Sequence, residues 1–452
     1  MIGILCEAQQ NGQTNSGPGG LLTQPVGCNM VATIRLRKVG SKMPAPDVNI
    51  LSPGRTWLVL VVLFLCTFVL GTAELIVPGM LNLMAADLHV SIPAAGMLVT
   101  ANALGLALGG PALTALTIKL PKRTILTGAL ALFVMANLVL VLTDDYSLFI
   151  VARVLAGAAQ GLSIAAALEV GSSIVPRERM GRAISVVISG FSVSAALGVP
   201  LGTLAGQALG WRGTFTAIVV LAALALVAII GVVPQVPAGG GGVGSQARHA
   251  FAPRVLAVLG FGFLLCAAVF AALTYIVPFL EQVTGVSGTL ISLFLLAYGA
   301  ATAFGSFGGG RFADNDAARA LIIGSCALAA SLLVLFLAGA VAALVVLALL
   351  ALGVFGMAMV PVMQYRVVTL AGPGAQLAQS LPASFANLGV ALGSTAGGVA
   401  IGAFSAGAAV LTGFGFACAT VVVAWATSFL KPPGRLVAEE PSAAARAACG
   451  ES

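Results

Sequence analysis

From Trp57 to Met80 the chain is apolar for long enough to cross a bilayer, since about 20 helical residues suffice at 1.5 Å each. Comparable runs recur along the sequence, bounded by charges or turn residues, at 57–81, 94–117, 124–142, 146–173, 183–207, 214–233, 255–280, 289–312, 318–338, 341–365, 381–404 and 409–430. Backbone in hydrocarbon must satisfy its own hydrogen bonds, so each run is expected as a helix. Hydrophobic residues make up 59% of the chain and charged ones 8%, against roughly a quarter charged in soluble proteins. The expected fold is an all-α polytopic membrane protein with 12 transmembrane helices. The ninth and tenth runs share one apolar stretch, with Gly339 alone to mark the turn.

Lys and Arg set the orientation. Nineteen of the 21 fall in segments that a twelve-span path places on one side, leaving Arg212 in an opposite loop and Arg153 inside the fourth span. Both termini are therefore expected in the cytoplasm, with the chain a multi-pass protein of the cell membrane. The same distribution argues against nucleic acid as a partner, because the net charge of +7 is spent on topology rather than gathered on one face. Expected divisions are a cytoplasmic arm (1–55), a first six-helix half (56–233), a Pro/Gly-rich linker (234–254), a second half (255–430) and a tail (431–452). The arm is polar and Gly-rich, and Met43 is a second candidate start; an uncleaved first span, rather than a signal peptide, is expected to direct insertion. Gly239, Gly241 and Gly244 match a dinucleotide fingerprint by letters, but no strand precedes them, so a flexible linker is the reading. The seven cysteines contain no Cys-x-x-Cys pair, and no metal, disulfide framework or cofactor is called for. Neither is an ATP-binding loop or a hydrolase motif present, which excludes ATP-driven pumping and weighs against an enzyme. A receptor that binds without transport is the alternative from another class.

The two halves repeat. Sliding the chain by 196 residues places Asn102 on Tyr298, Gly109 on Gly305, Arg123 on Arg319 and Gly157 on Gly353. With a four-residue adjustment Ile76-Val77-Pro78 falls on Ile276-Val277-Pro278. Four-residue glycine ridges occupy the fifth span (Gly198, Gly202, Gly206) and the eleventh (Gly389, Gly393, Gly397). Two pseudo-symmetric six-helix halves form a transporter architecture with the substrate site between them. Glu74, by contrast, falls opposite Thr274, and Arg153 opposite Leu349. An intramembrane carboxylate costs roughly 2.5 kcal/mol or more on insertion scales, so this asymmetry marks a functional candidate.

These features resemble the major facilitator superfamily. Gly310, Ala313, Asp314 and Arg319 fit the family's pattern after the eighth span, whereas the first-half loop keeps Lys122 and Arg123 but has Ile118 at the acidic position. Arg153-Val-Leu-Ala-Gly157 and the Gly190, Gly198, Pro200, Gly202 signature look most like the arabinose-efflux and chloramphenicol-exporter branch of 12-span drug:proton antiporters. That resemblance implies a monomeric transporter that exports small amphipathic, drug-like compounds in exchange for protons; a sugar or nucleoside exporter is the runner-up. Asp314 with Arg319 then reads as a conformational latch, or as a helix cap.

Glu74 and Arg153 lie at matching depth, both roughly 9–10 Å below the outer surface. They are the expected proton-coupling pair: a nearby guanidinium favours a charged carboxylate and desolvation a neutral one, so movement that alters either drives uptake and release. Asn102, Gln160, Tyr298, Gln364, Tyr365 and Asn387 are candidate substrate-binding groups on helices expected near the cavity, with interhelical hydrogen bonding the alternative for each. Glu169 lies about 24 Å beyond Arg153 along the same helix and is expected to pair with Arg177 or Arg179, or to reach water.

Overall fold

The computed structural model describes residues 52–117, 119–176, 179–236, 251–372, 378 and 381–430, without the side chains of residue 181 and residues 307–315. Nearly all of the arm, the centre of the linker and the tail 431–452 lie outside the described residues, as do Ile118 and Arg177. The spans begin with α1 (Pro53–Leu75), α2 (Ile92–Thr117), α3 (Lys122–Leu142) and α4 (Tyr146–Ser173). A helical stretch then runs from Arg182 to Val232, 51 residues or about 76 Å, twice what a bilayer needs. Gly210 interrupts it at φ 74° and ψ 161°, a conformation glycine alone adopts readily, and divides it into α5 (182–209) and α6 (211–232). The second half follows as α7 (Pro253–Leu273), α8 (Thr289–Ser306), α9 (Asp316–Leu337), α10 (Ala342–Ala371), α11 (Leu381–Ala403) and α12 (Ala406–Ser428). The twelve crossings agree with the apolar runs, and the turn between α9 and α10 falls at Gly339.

Proline shapes the first helix of each half. Pro78 has no N–H and its ring crowds the carbonyl four residues back, which is that of Glu74. Accordingly α1 stops at Leu75, tightens into a 3₁₀ turn at Val77–Met80, and resumes as a short helix over Leu81–Asp87. Pro278 stands in the same relation to Thr274: α7 ends at Leu273 and the chain restarts over Ile276–Phe279. The repeat therefore bends both helices alike and equips one bend with a carboxyl, the other with a hydroxyl.

Buried apolar side chains form two cores, one centred on each half, the first also taking in Tyr275, Val390, Ala391 and Ala409 of the second, and the glycines make the symmetry physical. A Cβ on Gly157 would strike the Asn102 carbonyl and one on Gly353 the Tyr298 carbonyl, while Gly109 meets Ala158 and Gly305 meets Val354. These are the residues that the 196-residue shift superposes. Gly389, Gly393 and Gly397 bring α11 onto the α7 carbonyls of Phe263, Ala267 and Ala271. On α5, Gly190, Gly198, Gly202 and Gly206 accept Thr67, Thr72, Ile76 and Met80 of α1 and the turn after it. Between Gly190 and Pro200 a wide π-turn at Ser194–Gly198 closes with the Val199 N–H on the Ser194 carbonyl, which accommodates a proline inside a continuing helix.

The basic loops mark one end of the bundle, with Lys122, Arg179, Arg254 and Arg366. Among the described residues, hydrogen bonds joining the halves lie in the middle and towards the other end. Thr100 Oγ1 meets Ser394 Oγ at 2.7 Å, Gln207 Nε2 donates to the Gly288 carbonyl and Ser292 Oγ at 3.1 Å each, and Asn82 donates to Glu281. Arg212, the one loop cation that the orientation count left on that side, is held by Asp87 and Asp144 and stacks on Trp211, 4.3 Å from the ring centroid. It is a structural clasp between loops.

Candidate functional site

A cavity of about 230 Å³ lies between the halves. Its walls come from α1 and the turn after it, α5, α7, α8, α10 and α11 and are mostly apolar, with Phe191, Leu265, Val269, Phe270, Met357 and Val360 among them. Glu74 opens onto it from the end of α1, and among the described residues no other acidic or basic side chain lines it. Tyr298, Asn387, Thr302 and Ser306 supply polar points on the opposing half. Asn387 Nδ2 is bound to the Ala383 carbonyl at 3.0 Å, which leaves its Oδ1 without a partner.

Behind Glu74 stands α4. Arg153, Gly157 and Gln160 follow an i, i+4, i+7 spacing and so share one helix face, with Gly157 letting α2 approach closely. Gln160, fully buried, donates from Nε2 to Glu74 Oε2, while its own Oε1 has no partner. Arg153 is 1% exposed and donates to two backbone carbonyls, Ala73 at 3.3 Å from Nη1 and Leu98 at 3.3 Å from Nε. Its Nη2 is unpartnered. The guanidinium thus clamps the peptide next to Glu74 and acts on the carboxyl through its field, without a direct ion pair.

The other candidates separate cleanly. Tyr298 and Asn387 line the cavity with Glu74. Gln160 does not line it; the amide serves the carboxylate instead. Asn102 is 2% exposed at the contact of α2 with α4, also off the lining. Gln364 and Tyr365 correct the expectation: both are exposed, Tyr365 by 52%, and α10 meets the cavity nearer its middle, through Gly356, Met357 and Val360. Glu169 pairs with Lys122 at 2.6 Å, rather than with Arg179; Arg177 is outside the described residues. The side chain of Asp314 is likewise not described. Arg319 binds Asp316 at 3.1 Å, and Asp316 Oδ1 accepts the N–H groups of Ala318 and Arg319 at 3.1 Å each, so the cap of α9 is Asp316. Gly190, Gly198, Pro200 and Gly202 are packing positions on α5, as described above.

Sequence reasoning had not singled out Cys266 or Phe270 of α7, which line the cavity. The pairing of Gln160 with Glu74 also escaped it, although the seven-residue spacing from Arg153 was a usable signal.

The model of the Major Facilitator Superfamily matches residues 63–373 and again residues 259–451. The chain belongs to that superfamily. It is 30% identical over 351 residues to the MFS-type transporter YtbD of Bacillus subtilis strain 168, covering 75% of this chain and 87% of that one. A chloramphenicol resistance protein of Streptomyces lividans is 33% identical over 259 residues, covering 56% of this chain and 66% of the other. Among solved structures, a bacterial homologue of the human lysosomal transporter Spinster, inward-facing and unoccupied, superposes with a TM-score of 0.69 at 16% identity, covering 84% of this chain and 97% of that one. This superfamily protein is a multi-pass membrane transporter, not an enzyme.

Proposed function

We propose that this transporter exports small, largely apolar compounds across the cell membrane by proton antiport, with Glu74 as the proton carrier and the basic end of the bundle in the cytoplasm. The observation that carries the reading is a carboxyl opening onto an apolar cavity between two halves, with no other charged side chain lining it among the described residues. Gln160 suits both protonation states: its Nε2 holds the carboxylate, and its unpartnered Oε1 is an acceptor for the protonated acid. Arg153 fixes the turn on which Glu74 sits. In exchange for a solute leaving the cell, Glu74 takes a proton while the cavity faces outside and releases it on the cytoplasmic side. A pH difference of one unit supplies about 1.4 kcal/mol per proton, or a tenfold concentration ratio.

The lining favours an amphipathic solute with few polar groups. Tyr298, Asn387 and Glu74 provide a small number of hydrogen-bonding points, whereas a sugar would set most of its hydroxyls against Leu265, Val269 and Phe270. Similarity to a chloramphenicol resistance protein supports a drug-like substrate. The test is a growth-inhibition panel in an efflux-deficient host expressing this protein, followed by counterflow of the protecting compound in proteoliposomes. Protection with counterflow is expected; no protection by any compound of the panel, or protection without counterflow, would overturn the export reading.

A further inference from the structure

A second groove, about 270 Å³, opens at the basic end between the start of α1, the end of α4 and the start of α5. It lies wholly within the first half and is separate from the central cavity. Its apolar wall includes Leu60, Val175 and Val186, and its charged rim is Arg179 and Arg182. Arg179 caps the helix that continues as α5, and Arg182 follows three residues on, in its first turn; both line the groove, and neither has a side-chain partner among the described residues. No described acidic residue lines the groove. Trp57, also part of the lining, is 58% exposed, and Trp425 at the corresponding end of α12 is 59% exposed. Exposed tryptophans at helix ends mark the level of lipid headgroups.

A groove at that depth, cationic at the rim and apolar within, matches an amphiphile rather than a small ion. We propose that it binds the phosphate of an anionic glycerophospholipid from the leaflet at the basic end, with Arg179 and Arg182 on the phosphate and the glycerol and first methylenes against Leu60, Val175 and Val186. Basic pockets between helices facing a negatively charged leaflet recognise such headgroups. A hydrated inorganic anion would gain nothing from the apolar wall. Beside it, Leu58 and Leu65 share one exposed face of α1, available to an acyl chain. Because all of these residues belong to one half, rocking of the halves leaves the site intact, and its occupancy strengthens the α1–α5 contact in either state.

The test uses the full-length protein in detergent, with its unfolding temperature measured after addition of phosphatidylglycerol, phosphatidylcholine or inorganic phosphate. Phosphatidylglycerol is expected to raise it by roughly 2–4 °C more than phosphatidylcholine. The Arg179→Gln/Arg182→Gln variant should lose that preference, a roughly 30-fold change in selectivity, while Lys119→Gln keeps it. An equal rise with phosphate alone, an equal rise with phosphatidylcholine, or an unchanged preference in the double variant would overturn the assignment. A second measurement needs no arginine variant: the fluorescence lost in Trp57→Phe reports Trp57, and brominated phosphatidylglycerol should quench that component more than brominated phosphatidylcholine. Equal quenching refutes the site.

Discussion

Replacing Gly393 with alanine adds a methyl where α11 crosses α7. The new Cβ would stand 2.9 Å from both the Ala267 carbonyl carbon and its Cα, and closer still to the carbonyl oxygen. These are backbone atoms, so no side chain can swing aside. Restoring ordinary contact requires the helices to part by about 0.5 Å or more, an overpacking cost of ~1–3 kcal/mol. Gly128, inside α3, is the matched control: a Cβ there meets nothing within 4 Å, so alanine gains about 0.5–1 kcal/mol of helix propensity. At about 2–4 °C per kcal/mol for a half of this size, the two variants should melt about 3–16 °C apart, Gly393→Ala below the parent and Gly128→Ala at or above it. The assay is fluorescence-detected size exclusion after heating in detergent. Coincident melting of the two variants would refute the close helix approach on which the repeat argument stands.

Three further outcomes follow from the site. In a protein lacking Cys6, Cys28, Cys326, Cys418 and Cys449, a water-soluble maleimide should label Cys266, which lines the cavity, and not the buried Cys66; protection by a transported solute, read by mass spectrometry, is expected. Glu169→Gln should leave transport intact and lower stability by about 1 kcal/mol, since its partner is Lys122 and its side chain is half exposed. Arg153→Lys should cut proton-coupled exchange at least about tenfold with the protein still inserted, because an ammonium on a flexible stem does not reproduce a planar fork shared between the Ala73 and Leu98 carbonyls.

Span number and symmetry were legible because bilayer thickness fixes helix length and because close helix approach demands glycine at given positions, as at Gly157 and Gly353. The prominence of Glu74 was legible from the cost of charge in hydrocarbon. What sequence could not supply is rotation about the helix axis. Gln160 and Gln364 are both polar residues in cavity-flanking helices, yet one turns to Glu74 and the other is exposed and not part of the lining, and no local pattern separates them. Glu169 shows the complementary failure: nearness along the chain suggested arginines just beyond it, whereas the fold delivers Lys122 from the start of α3. The effect of Pro78 on the carbonyl of Glu74 follows from their four-residue spacing alone.

The most direct measurement of the central claim is solute exchange in proteoliposomes by Glu74→Gln, under an imposed pH gradient and in counterflow without one. A neutral amide of the same shape should preserve counterflow, because the cavity remains, and abolish the gradient's effect, because no proton is carried. Accumulation that still rises about tenfold per pH unit in the variant would contradict the account.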